Sequence, residues 1–246
     1  MNVKAFIVHL ERATDRHEQV ERLKQQCPIP VEVVEAVDSE ALENESVRER
    51  RDCSHFKPSY PFQLRLAEIA CFYSHRKCWQ AIVDQNLDGG LILEDDVELD
   101  VTVFNSAFDL ALRHFTLEDY VRFPQKCRER AASIRASTAT HRLIVPEVTG
   151  LGMIGQLVGQ NAAKSLLEHT QRFDRPVDAF LQMTWQTGVQ PISVYPGGIT
   201  ERSAQLGGSC IGKRKSWRET LKREILRPLY RHKLASCARR SAQISF

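Results

Sequence analysis

The stretch Gly89-Gly90-Leu91-Ile92-Leu93-Glu94-Asp95-Asp96-Val97 decides how the chain is read. A glycine pair introduces a short, wholly apolar run, and the run stops at three consecutive carboxylates. Such a run predicts a strand buried on both faces, in the middle of a parallel sheet. Ligands of open α/β sheets bind just outside the carboxyl ends of strands, so Glu94, Asp95 and Asp96 stand where chemistry is expected. Adjacent acids repel one another unless a cation joins them. A hard divalent ion, Mg²⁺ or Mn²⁺, suits such oxygens and keeps positions open for a phosphate. A solvated acidic turn after the strand is the competing reading.

Outward from this stretch, the 246 residues fit one α/β domain with a tail. A composition 42% hydrophobic and 26% charged excludes disordered and fibrous classes. No apolar run approaches the roughly 20 residues of a membrane span. Met1 to Val8 is followed at once by His9 and charged residues, too short for a signal peptide, so a cytoplasmic location is expected. The seven cysteines (Cys27, Cys53, Cys71, Cys78, Cys127, Cys210 and Cys237) contain no C-x-x-C pair, which argues against a zinc site or disulfide framework and for reduced thiols. The net charge of +3 conceals an asymmetry: from Lys213 onward eleven Lys or Arg face two acids, leaving the first 212 residues mildly acidic.

Phe6-Ile7-Val8 predicts the first strand. After it, Asp15 followed by Glu18 forms a variant capping box for a helix carrying Val20 and Leu23. Arg12 and Arg16 lie between strand end and helix start, a place suited to a phosphate, although exposed surface arginines fit equally. Val31 to Val37 predicts the second strand, and Asp38 at its tip either holds a ribose or base or caps a helix. Ser39 to Tyr60 reads as a helix and then a loop over the site. Glu68 to Gln85 is the clearest helix, with Cys71, Phe72, Cys78, Trp79 and Ile82 on one stripe and Glu68 and His75 on the same side. Seven residues of helical rise put Glu68 and His75 about 10 Å apart, so each needs its own partner.

Val101 to Phe115 predicts a further helix, Tyr120 to Phe123 a short strand, and Pro124 to Thr140 a mobile loop or surface helix. Gly150-Leu151-Gly152-Met153-Ile154-Gly155 spells G-x-G-x-x-G, but a strand, Gln156-Leu157-Val158, follows it where a dinucleotide site needs a helix. Its glycines fit a close backbone approach to a ligand or strand. Arg175 to Leu181 reads as a helix start with Pro176 suited to its first position and Asp178 in its first turn, either as a dipole partner or as an acceptor-binding carboxylate or base. Pro191 to Pro196 predicts an outer strand, and Gly197 to Gly212 a loop.

Several of these segments, in order, resemble glycosyltransferase family 25, the bacterial lipopolysaccharide and lipooligosaccharide glycosyltransferases with collagen-modifying relatives. Val8-His9-Leu10-Glu11-Arg12-Ala13-Thr14-Asp15-Arg16 is similar to its N-L-x-R-s-x-x-R segment, with His9 where Asn is usual. Glu35-Ala36-Val37-Asp38 resembles A-x-D-G. Glu68 to His75 resembles G-E-I-G-C-x-x-S-H, with Ala67 and Ala70 replacing the glycines. Leu91 to Val97 resembles l-i-L-E-D-D-v, Pro176-Val177-Asp178 the late p-v-D, and Ser209-Cys210-Ile211 the closing S-x-I.

The resemblance implies a catalytic domain over residues 1–212 with a glycosyltransferase-A-type, Rossmann-like fold, whose mixed, mainly parallel sheet is flanked by helices. It implies transfer of a hexose, from UDP-galactose or UDP-glucose, to a sugar hydroxyl of a lipopolysaccharide or lipooligosaccharide acceptor, with inversion. Leu10, Arg12, Arg16, Asp38, Glu94 and Asp95 are the expected donor-binding residues, and Glu94 and Asp96 the expected ligands of Mn²⁺ or Mg²⁺. The base is expected to be Asp178, then Glu68 or His75. In residues 213–246, Trp217, Leu221, Ile225, Leu226, Leu229 and Tyr230 interleave with Arg218, Lys222, Arg223, Arg227 and Arg231. This basic amphipathic helix suits an anionic surface, the inner face of the cytoplasmic membrane, where a lipid-linked acceptor would lie. A solvated helix or an oligomer contact is the alternative for the tail, and a catalytically silent carbohydrate- or membrane-binding relative for the whole chain. An acidic body without a nucleic-acid-binding motif speaks against nucleic acid.

Overall fold

The apolar run does form a strand, and the sheet is built around it. The computed structural model describes residues 1–42, 56–202 and 217–244. Strand β1 (Val3–His9) leads through a 3₁₀ turn (Thr14–Arg16) into α1 (His17–Gln26) and back to β2 (Val31–Glu35). Helix α2 (Leu66–Asp84) precedes β3 (Gly89–Glu94), β4 (Val97–Leu99), α3 (Val101–Arg113) and β5 (Tyr120–Arg122). A hairpin of β6 (Ala131–Ser137) and β7 (Arg142–Pro146) follows, then β8 (Gly155–Gly159) and α4 (Gln160–His169). Short helices α5 (Val177–Phe180) and α6 (Thr184–Thr187), strands β9 (Pro191–Tyr195) and β10 (Ile199–Glu201), and the long α7 (Trp217–Ile244) complete the described chain.

Eight strands form one sheet in the order β2-β1-β3-β8-β5-β9-β7-β6, while β4 and β10 pair as a separate ribbon. Only β8 and β7 run against the other six, which gives the mixed, mainly parallel α/β sheet that the resemblance implies. The surroundings of β3 differ from expectation. It is parallel to β1 on one side but antiparallel to β8 on the other, so its buried run does not mark an all-parallel neighbourhood.

Strand alternation divides the core into two layers. Phe6, Val8 and Ile92 meet Ile69, Phe72, Trp79 and Ile82 of α2 on one face. Ala5, Ile7, Leu91 and Leu93 meet Val20 and Leu23 of α1 and Phe104, Phe108 and Leu110 of α3 on the other. The glycine pair is explained by this packing: a Cβ on Gly90 would lie 2.6 Å from the Ile82 side chain and 2.8 Å from that of Phe6. At the end of β8 the approach is to backbone, since a Cβ on Gly159 would lie 2.2 Å from the Leu117 carbonyl oxygen. Backbone cannot swing aside as a side chain can, so Gly159→Ala should destabilise the fold by about 1–3 kcal/mol. The urea midpoint would fall at unchanged m-value; an unaltered midpoint would contradict the packing.

Several local expectations are corrected. Asp15 and Glu18 make no capping box, because the chain takes a 3₁₀ turn at Thr14–Arg16 and α1 starts at His17 without a side-chain cap. Glu18 instead pairs with Arg22 one turn on, at 3.0 Å. The segment 124–140 is neither mobile loop nor surface helix where β6 forms the sheet edge. Strand β9 lies between β5 and β7 instead of at the margin. Pro176 is the N-cap of α5, one place before the first helical residue. The helix expected within 39–60 and most of the loop expected after Gly197 lie outside the described residues. The five described cysteines are unpaired thiols.

Candidate active site

Parallel pairing of β1 with β3 brings His9 beside the acids that follow Glu94. Because β1 is flanked by β2 on one side and β3 on the other, chain crossovers diverge here, leaving a crevice at the carboxyl ends. His9 Nδ1 lies 2.7 Å from one Asp95 oxygen, and Arg16 Nη1 donates to the other at 2.6 Å. The same guanidinium nitrogen lies 3.4 Å from Asp96 Oδ2. All four side chains are buried. Asp95 is therefore locked on both oxygens, whereas Asp96 Oδ1 is buried with no hydrogen-bond partner among the described residues.

Nearer the surface, Arg12 grips Asp38 through Nε at 2.7 Å and Nη2 at 2.9 Å. Leu10 closes the intervening turn by accepting from the Ala13 N–H at 2.8 Å. Arg16 thus faces the carboxylates and Arg12 the tip of β2, and the two do not form one shared anion clamp.

A cavity of about 1140 Å³ opens beside the end of β3, lined by Glu68, Cys71, Glu94, Asp178 and Glu201, and by the segment Gly150 to Gly155. Glu68 also accepts from the Arg65 N–H at 2.8 Å, capping α2. His75, only 1% exposed, lies two turns further along the same face of the helix, its Nε2 3.7 Å from Glu94 Oε1. The rise along α2 thus gives Glu68 and His75 separate partners, as its geometry predicts. Burial pulls the His75 imidazole down to about 4, so it is neutral near pH 7. Each Asp178 oxygen accepts one backbone N–H, Oδ2 from Gly152 at 3.0 Å and Oδ1 from Ala179 at 2.7 Å. The G-x-G-x-x-G segment hence serves as cavity wall, with Gly152 at a φ of +104° that favours glycine.

The acids crowd one another. Burial, then Glu201, Asp95 and Asp178, push the Glu94 carboxyl up to about 8. Burial and Glu94 push Asp96 up to about 7, against the pull of Arg16. A cation placed among them would favour their ionised forms.

Glycosyltransferase family 25, the group described as LPS biosynthesis proteins, has a family model that matches residues 2–181. The chain belongs to glycosyltransferase family 25. Procollagen galactosyltransferase 1 of Danio rerio is 31% identical over 207 residues, covering 81% of this chain and 34% of that protein. Procollagen galactosyltransferase 2 of Homo sapiens is 33% identical over 100 residues, 39% of this chain and 16% of that one. This family 25 chain spans about a third or less of the length of these relatives. Among solved structures, a glycosyltransferase involved in the glycosylation of the major capsid of PBCV-1 aligns at TM-score 0.33 and 12% identity, over 67% of this chain and 63% of that one.

Within this family 25 chain, the cavity gathers Glu68, Glu94 and Asp178 but not Leu10, Arg12, Arg16, Asp38, His75, Asp95 or Asp96. Two features escaped the sequence reading. Glu201 reaches the site because β10 pairs antiparallel with β4, opposite Val97, and Arg202 N–H donates to the Asp96 carbonyl at 2.7 Å. An acid closing a short strand after Pro196-Gly197-Gly198 was the available signal. The second is a buried clasp: Arg122 Nη1 meets Glu129 at 2.5 Å, and the Tyr195 hydroxyl donates to the same carboxylate at 2.6 Å. Arg122 Nη2 also donates to the carbonyls of Leu151 and Gly152, fixing the glycine segment against the sheet. The tail helix α7 contributes too, since Tyr230 and Leu234 are buried in the core and line the cavity together with Arg227 and Arg231.

Proposed function

We propose that this family 25 chain is a metal-dependent, inverting glycosyltransferase. Its donor is a nucleotide diphosphosugar, UDP-galactose or UDP-glucose, and its acceptor a sugar hydroxyl of a lipopolysaccharide or lipooligosaccharide. Family membership supports the reaction class, and the procollagen galactosyltransferases it resembles support a galactosyl donor. The observation that carries the reading is Asp96 Oδ1, buried without a partner among the described residues, two residues on from Glu94, which lines the cavity. An oxygen left bare at that depth costs free energy that a ligand would offset.

Asp96 and Glu94 fit Mn²⁺ or Mg²⁺ through their hard carboxylate oxygens, and the ion when bound would neutralise charge gathering on the departing diphosphate. The protein's own groups do the rest. Arg16, held against Asp95 and Asp96, keeps the acidic strand end folded in one place. Arg12, half exposed and paired with Asp38 at the tip of β2, adds positive charge on the open side of the strand ends, where an anionic donor would approach. Asp178 accepts the proton of the attacking acceptor hydroxyl, because each of its oxygens keeps an acceptor position beyond the single N–H it holds. Attack in line with the leaving group inverts the anomeric carbon. Glu68 is the poorer base, engaged in capping α2, and His75 the poorest, being sealed from the cavity. The exposed Ile225 and Leu229 of α7, amid its Arg and Lys residues, support a peripheral membrane contact near a lipid-linked acceptor.

Purified protein should release UDP from one of the two donors when Mn²⁺ and a lipooligosaccharide acceptor are present. EDTA should abolish the release and added Mn²⁺ restore it. Binding to glycan or liposomes without UDP release from any UDP-sugar would instead establish a silent carbohydrate- or membrane-binding relative.

A further inference from the structure

We propose that Cys71, His75 and Glu94 form a site for a thiophilic divalent ion of the Zn²⁺ class, separate in chemistry from the all-oxygen site at Asp96. Cys71 and His75 are four residues apart on α2 and so share one face of the helix. Packing of α2 on the sheet sets that face against the end of β3. One ligand atom from each residue falls within 4.8 Å of the other two, and His75 Nε2 to Glu94 Oε1 is 3.7 Å. In a tetrahedral zinc centre with bonds of about 2.0–2.3 Å, ligand atoms stand about 3.3–3.8 Å apart. The His–Glu separation already meets that spacing, and small side-chain rotations supply the remainder.

A second observation points the same way. His75 is 1% exposed, and Nε2, its nitrogen toward the site, stands 3.7 Å from Glu94 Oε1, beyond hydrogen-bond reach. A histidine serving only as core is normally satisfied on its buried nitrogens. Cys71 and Glu94 both line the cavity, which provides an entry path and leaves room for a fourth, non-protein ligand. The donor set of thiolate, imidazole and carboxylate favours zinc over Mg²⁺ or Mn²⁺, which prefer oxygen alone. Binding displaces the Cys71 thiol proton to solvent as the S–Zn bond forms. Because Glu94 belongs to both sites, zinc at Cys71 withdraws a ligand from the Mn²⁺ site and inhibits transfer. That inhibition rests on the function proposed above; the binding itself does not.

Full-length protein, stripped with EDTA and desalted, would be titrated with Co²⁺ as a spectroscopic stand-in. A saturable near-ultraviolet thiolate-to-cobalt band should appear, vanish on adding Zn²⁺, be lost in Cys71→Ser and persist in Cys127→Ser. No band in the wild type, or a band surviving Cys71→Ser, would overturn the site. Should Cys71→Ser fail to fold, wild-type alkylation decides instead: Zn²⁺ must slow iodoacetamide labelling of Cys71, followed by peptide mass spectrometry, while leaving Cys127 unchanged. Equal Cys71 labelling with and without Zn²⁺ overturns the proposal. With Mn²⁺ present, Zn²⁺ should inhibit UDP release relative to the zinc-free rate of the same variant, and less so in Cys71→Ser. A cobalt band in a protein that turns over no UDP-sugar would leave this site standing and remove only the transfer reading.

Discussion

Arg175→Met is expected to destabilise the protein by about 3–5 kcal/mol, the range for removing one partner of a buried ion pair. Arg175 is fully buried. Its Nε and Nη2 hold the two oxygens of Asp174 at 2.6 and 2.8 Å, Nη2 also donates to the Pro58 carbonyl at 3.0 Å, and Nη1 donates to the Tyr230 hydroxyl at 2.8 Å. Phe56, Tyr60 and Tyr230 surround the guanidinium at 5.6–6.0 Å from their centroids. Methionine fills much of the volume but leaves the Asp174 carboxylate, the carbonyl and the hydroxyl without their donor. Lysine should not rescue, for it cannot reproduce the planar fork. The double change Asp174→Asn with Arg175→Met should recover part of the loss, since the stranded charge is gone. Denaturant unfolding measures both variants. Hydrogen exchange should show α7 and the segment near Tyr60 loosening first, because this one side chain joins them. A loss below about 1 kcal/mol would mean that water takes over the bonds and the clasp is incidental.

How much of this was visible in the chain depended on whether the deciding contact was local. The run Leu91 to Leu93 and the α2 stripe through Phe72, Trp79 and Ile82 were legible because apolar spacing is written within a few residues. Strand β6 was not, since six of its seven residues are exposed and no alternation survives on that sheet edge. Strand β9 is legible as a strand, but its place in the sheet is not, because a strand's neighbours, here β5 and β7, come from elsewhere in the chain. The same limit governs the site. The family resemblance assigns Glu94 and Asp96 to the metal and Asp95 to the donor, but the run of three acids does not show which is free; the fold ties Asp95 to His9 and Arg16 and leaves Asp96 Oδ1 without a partner among the described residues. The sequence displayed α7 as a basic amphipathic helix, but gave no sign that Tyr230 would dock on Arg175, an arginine with no periodic pattern to mark it as buried.

That separation of the three acids leads to the sharpest test of function. Asp96→Asn is expected to lower turnover by about 10²–10³-fold, the typical result of deleting one electrostatic contribution at a developing negative charge. Asparagine preserves the size and can keep an oxygen toward Arg16, so the fold should survive; what it removes is the negative charge offered to Mn²⁺. Mn²⁺ affinity, read by calorimetry, should weaken alongside kcat, and raising Mn²⁺ should restore part of the rate. Asp95→Asn should behave in the opposite way. Asp95 is already paired with His9 and Arg16, so losing its charge leaves a buried cation short of a partner and lowers the unfolding midpoint, while Mn²⁺ affinity changes little. The contrast separates a ligand from a strut. Equal Mn²⁺ affinity in wild type and Asp96→Asn, with turnover within about threefold, would remove Asp96 from the metal site and with it the physical reason for placing the diphosphate at the end of β3.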